Sequence, residues 1–167
     1  MTVAELVQEL EQEAGNTRRA LERVPEDQLA WKPHEKSPSL GQLALHIATL
    51  PGAITDVALG PTFEAGPRPP RPSAASHAEL LEAFDKSLAH AKARLGGLDD
   101  AALGATWRML NGDRVVMTLP RGAVLRTILL NHWYHHRGQL TVYLRLLGVP
   151  LPAIYGPSAD ENPFVRG

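Results

Sequence analysis

The chain of 167 residues contains no cysteine. A disulfide framework is therefore excluded, as is a zinc or iron–sulfur site held by thiolates. Any thiol chemistry has to borrow its sulfur from a substrate or cofactor. Net charge is scarce as well: 17 Lys and Arg against 18 Asp and Glu leave a formal −1. Proteins that bind nucleic acid draw much of their affinity from neutralising phosphates, so no nucleic-acid partner is expected. Arg18, Arg19, Arg68 and Arg71 read as solvated surface. The start, Met1-Thr2-Val3-Ala4-Glu5, lacks the basic residues and apolar block of a signal peptide. No run approaches the ~20 apolar residues that cross a bilayer. A cytoplasmic protein with no membrane partner is expected.

What is present is the composition of an ordinary globular protein, with 44% apolar and 21% charged residues. The length suits one well-buried core, so residues 1–167 are read as a single domain. Apolar spacing and start signals define four helices. The first runs roughly from Val3 to Val24, with Thr2 and Glu5 as a capping box and Leu6, Leu10 and Leu21 on its apolar face; Pro25 ends it. The second opens after Ser39, paired with Gln42, and carries Leu40, Leu43, His46, Ile47 and Leu50; Pro51 is expected to kink or split it. The third starts near Ser76 with Glu79 at the capping-box position, uses Leu80, Leu81, Phe84 and Leu88, and stops at Gly96-Gly97. The fourth spans about Ala123 to Leu147 and is closed by Gly148 and Pro150. Gly60 to Ser76, rich in proline and glycine, reads as a crossover loop. Asn111-Gly112 is a two-residue turn signal whose flanks can pair as a short hairpin. The expected fold is all-α: a four-helix bundle with a long crossover between the second and third helices and a short β-hairpin before the fourth. Bundle cores are where facing helices assemble metal sites.

The fourth helix carries His132-Trp133-Tyr134-His135-His136-Arg137-Gly138-Gln139, with three of the seven histidines within five residues. Residues four apart stand one turn above each other, with Cβ atoms ~6 Å apart. His132 and His136 can thus aim two imidazoles at one ion, and imidazole nitrogen suits zinc, nickel, copper and iron. Catalytic sites commonly use three protein ligands with a position left open. The best third ligand is His46, in the apolar setting Leu43-Ala44-Leu45-His46-Ile47-Ala48. A buried ring there must either hydrogen-bond or coordinate something, and spacing alone favours a core histidine bonded to a carbonyl. His135 is a second-ranked competitor, because it turns away from the His132–His136 line. A zincin helix needs Glu directly after its first His, as general base. Trp133 occupies that place and no carboxylate lies within the motif, so hydrolysis lacks a base.

Three blocks go further. They are Leu29-Ala30-Trp31-Lys32-Pro33, then Ser39-Leu40-Gly41-Gln42-Leu43-Ala44-Leu45-His46-Ile47-Ala48, and Asn131-His132-Trp133-Tyr134-His135-His136-Arg137-Gly138-Gln139-Leu140 followed by Tyr143-Leu144-Arg145 and Gly148-Val149-Pro150. Together they resemble the DinB/YfiT-like family of small bacterial metal-binding proteins. The ending Ile154-Tyr155-Gly156-Pro157-Ser158-Ala159-Asp160-Glu161 is similar to a tail in one branch of it. The resemblance implies a four-helix bundle with the long crossover, a homodimer in many members, and a divalent transition metal, usually zinc or nickel, on His46, His132 and His136. Relatives often carry Glu where this chain has Trp133, a departure that removes a carboxylate. Members with assigned activity include transferases and isomerases that use bacillithiol, mycothiol or a similar low-molecular-weight thiol.

The expected function is thus metal-dependent transfer of such a thiol to an electrophilic small molecule, because an open position on a metal favours the nucleophilic thiolate. Two rivals stand beside it: a non-catalytic metal or small-ligand binding protein, and a metal-dependent hydrolase. Arg137 and Gln139 are read either as orienting ligands and binding an anionic substrate or as packing contacts. Trp133 and Tyr134 are read as a pocket wall, a dimer face or, preferably, aromatic packing. Tyr155, Asp160 and Glu161 reach the site only if the tail folds over it. His34, His77 and His90 are assigned to the surface.

Overall fold

The computed structural model describes residues 1–67 and 69–164, so the reading of Arg68 lies outside the described residues. Helix α1 (Val3–Leu21) starts at the expected capping box: Glu5 N–H donates to Thr2 Oγ1 at 3.1 Å, and Thr2 N–H donates to Glu5 Oε2 at 2.7 Å. It ends three residues before Val24, because Arg23 and Val24 bond back to Ala20 and Leu21 in tight turns rather than continuing the helix. Helix α2 (Leu40–Leu59) opens on the Ser39–Gln42 box, with both reciprocal bonds formed. Helix α3 (His77–Gly96) is capped by Ser76, but Glu79 bonds the N–H of Ala75 instead of closing the box. The fourth rod is continuous over 121–146. It comprises a short α4 (Arg121–Val124), a π-helical stretch (Leu125–Asn131) and α5 (His132–Leu146). Gly148, at φ +72°, closes it with Val149 N–H on Leu144 and Gly148 N–H on Arg145, the double bond pattern of a Schellman cap.

The four rods pack in a ring: α1 on α3, α3 on α2, α2 on α5, and α5 back on α1. Their apolar stripes meet inside it, where Leu6, Leu43, Ile47, Phe84, Leu129 and Trp133 are fully or almost fully buried. By length and composition α2 is apolar enough to cross a membrane, which the sequence reading did not anticipate. Over half of that stretch, 56%, is buried inside the protein, as a core helix would be.

Pro51 does not split α2. A proline lacks the N–H that would bond the carbonyl four residues back, here that of Ile47. That carbonyl instead accepts the indole N–H of Trp133 at 2.9 Å. The next N–H, of Gly52, donates to Ser87 Oγ at 2.9 Å, and that hydroxyl donates to the Thr49 carbonyl at 3.0 Å. Neighbouring helices thus complete the interrupted ladder. A Cβ on Gly52 would stand 3.1 Å from the backbone carbonyl of Ser87, so the close approach of α3 needs glycine there.

A small sheet covers one end of the rods. Strands β2 (Thr106–Asn111) and β3 (Arg114–Pro120) form the expected antiparallel hairpin, turning through Gly112 at φ +57°. The stretch Gly60 to Ser76 is not wholly loop. Within it β1 (Thr62–Glu64) pairs parallel to β2, with Phe63 opposite Met109. Three residues carry no readable alternation, and the pairing exists only because the end of α2 lies beside β2. Trp107 joins the two, fully buried, its indole N–H on the Val57 carbonyl at 2.9 Å. Arg121 caps α2 by donating to the carbonyls of Ala58 at 3.0 Å and Leu59 at 3.4 Å.

Candidate metal centre

His46, His132 and His136 converge. One nitrogen of each lies within 4.8 Å of the others, close enough for a single ion to be shared, and no carboxylate joins the cluster among the described residues. The ring centroids are 4.5 Å apart for His132 and His136, 4.6 Å for His46 and His136, and 5.4 Å for His46 and His132. His136 is buried, while His46 and His132 are half-buried. The bond from Trp133 to Ile47 explains the meeting, since each partner directly follows a histidine in sequence. It fastens the His132 turn of α5 to the His46 turn of α2.

The π-helical stretch also sets this face. Leu125, Leu129, Trp133 and Arg137 are all buried at steps of four residues, wider than the 3.6 of an α-helix. A stretch of wider turns holds such steps on one side.

The protonation pattern follows from the neighbours. His136 Nδ1 lies 2.7 Å from Gln139 Oε1, and His132 Nδ1 lies 3.3 Å from the Ile128 carbonyl. With both partners as acceptors, the Nδ1-protonated tautomer of each ring makes these bonds and turns Nε2 toward the cluster. The two Nε2 atoms face each other at 2.7 Å. A proton between them would require an imidazolium or the loss of one Nδ1 bond. Burial pushes His136 down to about 4, with the Gln139 bond opposing and His132, His135 and Arg71 adding to the depression. Two imidazole nitrogens this close, with a nitrogen of His46 within 4.8 Å of both, suit a shared cation. Two nitrogen ligands of one tetrahedral zinc stand about 3.3 Å apart, so a small outward movement accommodates it. Gln139 and the Ile128 carbonyl stand where outer partners orient the rings of histidines that could hold a metal.

The other expectations divide. His135 is exposed and stands outside the cluster. Gln139 contacts His136, one of the three clustered histidines, at 2.7 Å. Arg137 is a packing group: only 3% exposed, it pairs with Glu13 of α1 at 2.6 Å and donates to Thr17 Oγ1 at 3.1 Å and to the Tyr155 hydroxyl. Tyr134 also turns to α1, donating to Glu9 at 2.8 Å, and burial pushes its hydroxyl up, so it stays protonated. Trp133 packs near Phe84 with centroids 6.4 Å apart and is fully buried. The tail does not cover the histidines. Asp160 is held by Arg145 and the Leu151 N–H, and Glu161 by Arg23 and the Ala153 N–H. Tyr155 bonds Glu13 and Arg137 on the α1 side. His34 and His90 make exposed contacts with the Lys36 N–H and Asp56, and His77 contacts the Leu21 carbonyl at the end of α1.

The DinB family model matches residues 1–163. The chain belongs to the DinB family. A relative, the uncharacterised protein YrdA of Bacillus subtilis strain 168, is 28% identical over 161 residues, covering 96% of this chain and 92% of its own. A DinB-like protein of Bacillus cereus ATCC 10987 has a similar structure, with TM-score 0.73, 24% identity and coverage of 92% of this chain and 98% of the other. YjoA, a DinB-like protein of Bacillus subtilis, superposes with TM-score 0.67 at 22% identity, over 89% of this chain and 95% of its own. At these identities the two structures speak for the fold alone.

Proposed function

We propose that this DinB-family chain, folded as a four-helix bundle, binds one divalent transition metal, zinc or nickel, through His46, His132 and His136. The reading adds that it transfers a low-molecular-weight thiol to a small electrophile. The carrying observation is the convergence of three imidazole nitrogens within 4.8 Å of one another, the Nε2 atoms of His132 and His136 standing 2.7 Å apart. A bound ion would supply Lewis acidity, lowering the pKa of a thiol brought to its open side. The chain's own residues do the rest. Gln139 and the Ile128 carbonyl hold the rings in their tautomers, the Trp133 anchor keeps the α2 and α5 turns together, and the apolar surroundings of His46 limit water. Three nitrogens and no carboxylate favour an open site over a closed structural one. The same absence among the described residues leaves hydrolysis without a protein base.

A cytoplasmic setting and a homodimer, both expected from the sequence, belong to this reading. Exposed Val142 and Leu146, one turn apart on α5, support the dimer, which light scattering on the purified protein would measure. The primary test is elemental analysis of the tag-free protein beside His46→Ala and His136→Ala, followed by thiol consumption with electrophiles. About one metal per chain, lost in both variants, is expected, together with turnover that needs both metal and thiol. Metal without thiol consumption would leave the binding-protein reading, and no metal after loading would refute the site.

A further inference from the structure

A cavity of about 160 Å³ opens beside the histidines, with His46 and His132 in its lining. Its walls are Ile54 and Val57 of α2, Phe63 of β1, Trp107 and Met109 of β2, and Ile128 of the π-helical stretch, and it reaches His46 and His132. None of the lining side chains carries a fixed charge, and the two imidazoles are the only titratable groups among them. The indole N–H of Trp107 is committed to the Val57 carbonyl, so this residue offers the cavity only its ring. The site thus contains apolar surface almost everywhere except at the end where the metal ligands stand.

We propose that this cavity is the acceptor pocket and takes an uncharged, benzene-sized aromatic ring, held against Phe63 and Trp107 with its substituent toward His46 and His132. The inference rests on the metal-centre reading for its functional meaning, but the pocket itself is independent of it. Volume sets the size: an apolar cavity of ~150 Å³ accommodates benzene and excludes ordered water. Charge sets the class. An ionised group pushed among Ile54, Val57, Met109 and Ile128 would lose its hydration with no partner to replace it. The little sheet acquires a purpose here, since β1 and β2 supply Phe63, Trp107 and Met109, three of the nine residues that line the cavity. Ala53, exposed and on the same lining, marks the rim.

The test is a methyl NMR titration of the full chain, zinc-loaded and metal-free, with benzene and with tetramethylammonium, a charged probe of similar size. Benzene is expected to shift the Ile54, Ile128 and Met109 methyl signals in both forms, with tetramethylammonium at least ten-fold weaker. In Ala53→Phe, which fills the rim from an exposed position, benzene affinity should fall at least ten-fold while zinc content stays at the wild-type level. His136 does not line the cavity, so His136→Ala should lose metal and keep benzene. Absence of benzene shifts, equal binding of the charged probe, or unchanged affinity in Ala53→Phe would overturn the proposal. Benzene binding in a chain that takes up no metal would refute the metal centre and leave the pocket standing.

Discussion

Trp133→Phe isolates the contact that joins the two halves of the candidate site. The phenyl ring keeps most of the packing against Phe84 but deletes the N–H that serves the Ile47 carbonyl, at 2.9 Å. That carbonyl cannot turn to its own helix, because its usual donor is Pro51. Leaving a buried acceptor unsatisfied costs about 1–3 kcal/mol, and the smaller ring adds roughly 1 kcal/mol of cavity. A loss of about 2–4 kcal/mol is expected in denaturant melts, on the order of 5–12 °C in Tm for a chain of this size. Because Ile47 and Trp133 each directly follow a candidate ligand, zinc affinity should also fall about ten-fold in a chelator competition. Trp107→Phe is the control. It breaks an equivalent bond, to Val57, away from the ligand turns, and should lower stability similarly while leaving zinc affinity within about two-fold. Equal stability of Trp133→Phe and wild type would refute the carbonyl argument. Equal affinity losses in both variants would show that the Trp133 contact acts by general loosening and not by placing His46 against His132.

Gln139 is exposed, so Gln139→Ala should change stability by less than about 0.5 kcal/mol. It should weaken zinc binding about 10–100-fold by releasing His136 Nδ1, as chelator competition would measure. The metal-free protein should lose stability as pH falls from about 6.5 toward 4. His136 is held neutral to about 4 when folded but protonates near 6.5 when unfolded, so the unfolded state binds the extra proton across that window. The loss is at most about 3 kcal/mol, and urea melts of His136→Gln should show a flatter profile there. Arg137→Met strands Glu13, 2.6 Å away and buried with it, and should cost about 3–5 kcal/mol while full metal content persists. Loss of metal with little change in stability would instead make Arg137 part of the site.

The helices were legible because their signals are local. Capping pairs at Thr2–Glu5 and Ser39–Gln42, the glycine stop of α3 and the Gly148 cap act within a few residues of chain. The His132–His136 pair was legible for the same reason, since one turn of helix makes them neighbours. His46 was a weaker inference, supported by resemblance, because nothing local places it within reach of a helix about ninety residues later. Strand β1 was not legible, and of the two outcomes expected at Pro51, a kink or a split, the split does not occur. Each depends on a partner from elsewhere: β2 for the strand, and Trp133 with Ser87 for the helix.

By itself the sequence determined which four segments coil, where the capped ones start, and that two imidazoles share a face, because capping and helix geometry act over one or two turns. Only the tertiary structure decided that the third imidazole joins them, that Gln139 and the Ile128 carbonyl meet the ring nitrogens, that Arg137 and Tyr134 serve packing on α1, and that an apolar cavity lies beside the histidines. Those outcomes require surfaces from separate elements to meet, and their distances are set by packing across the ring of helices and the sheet at its end.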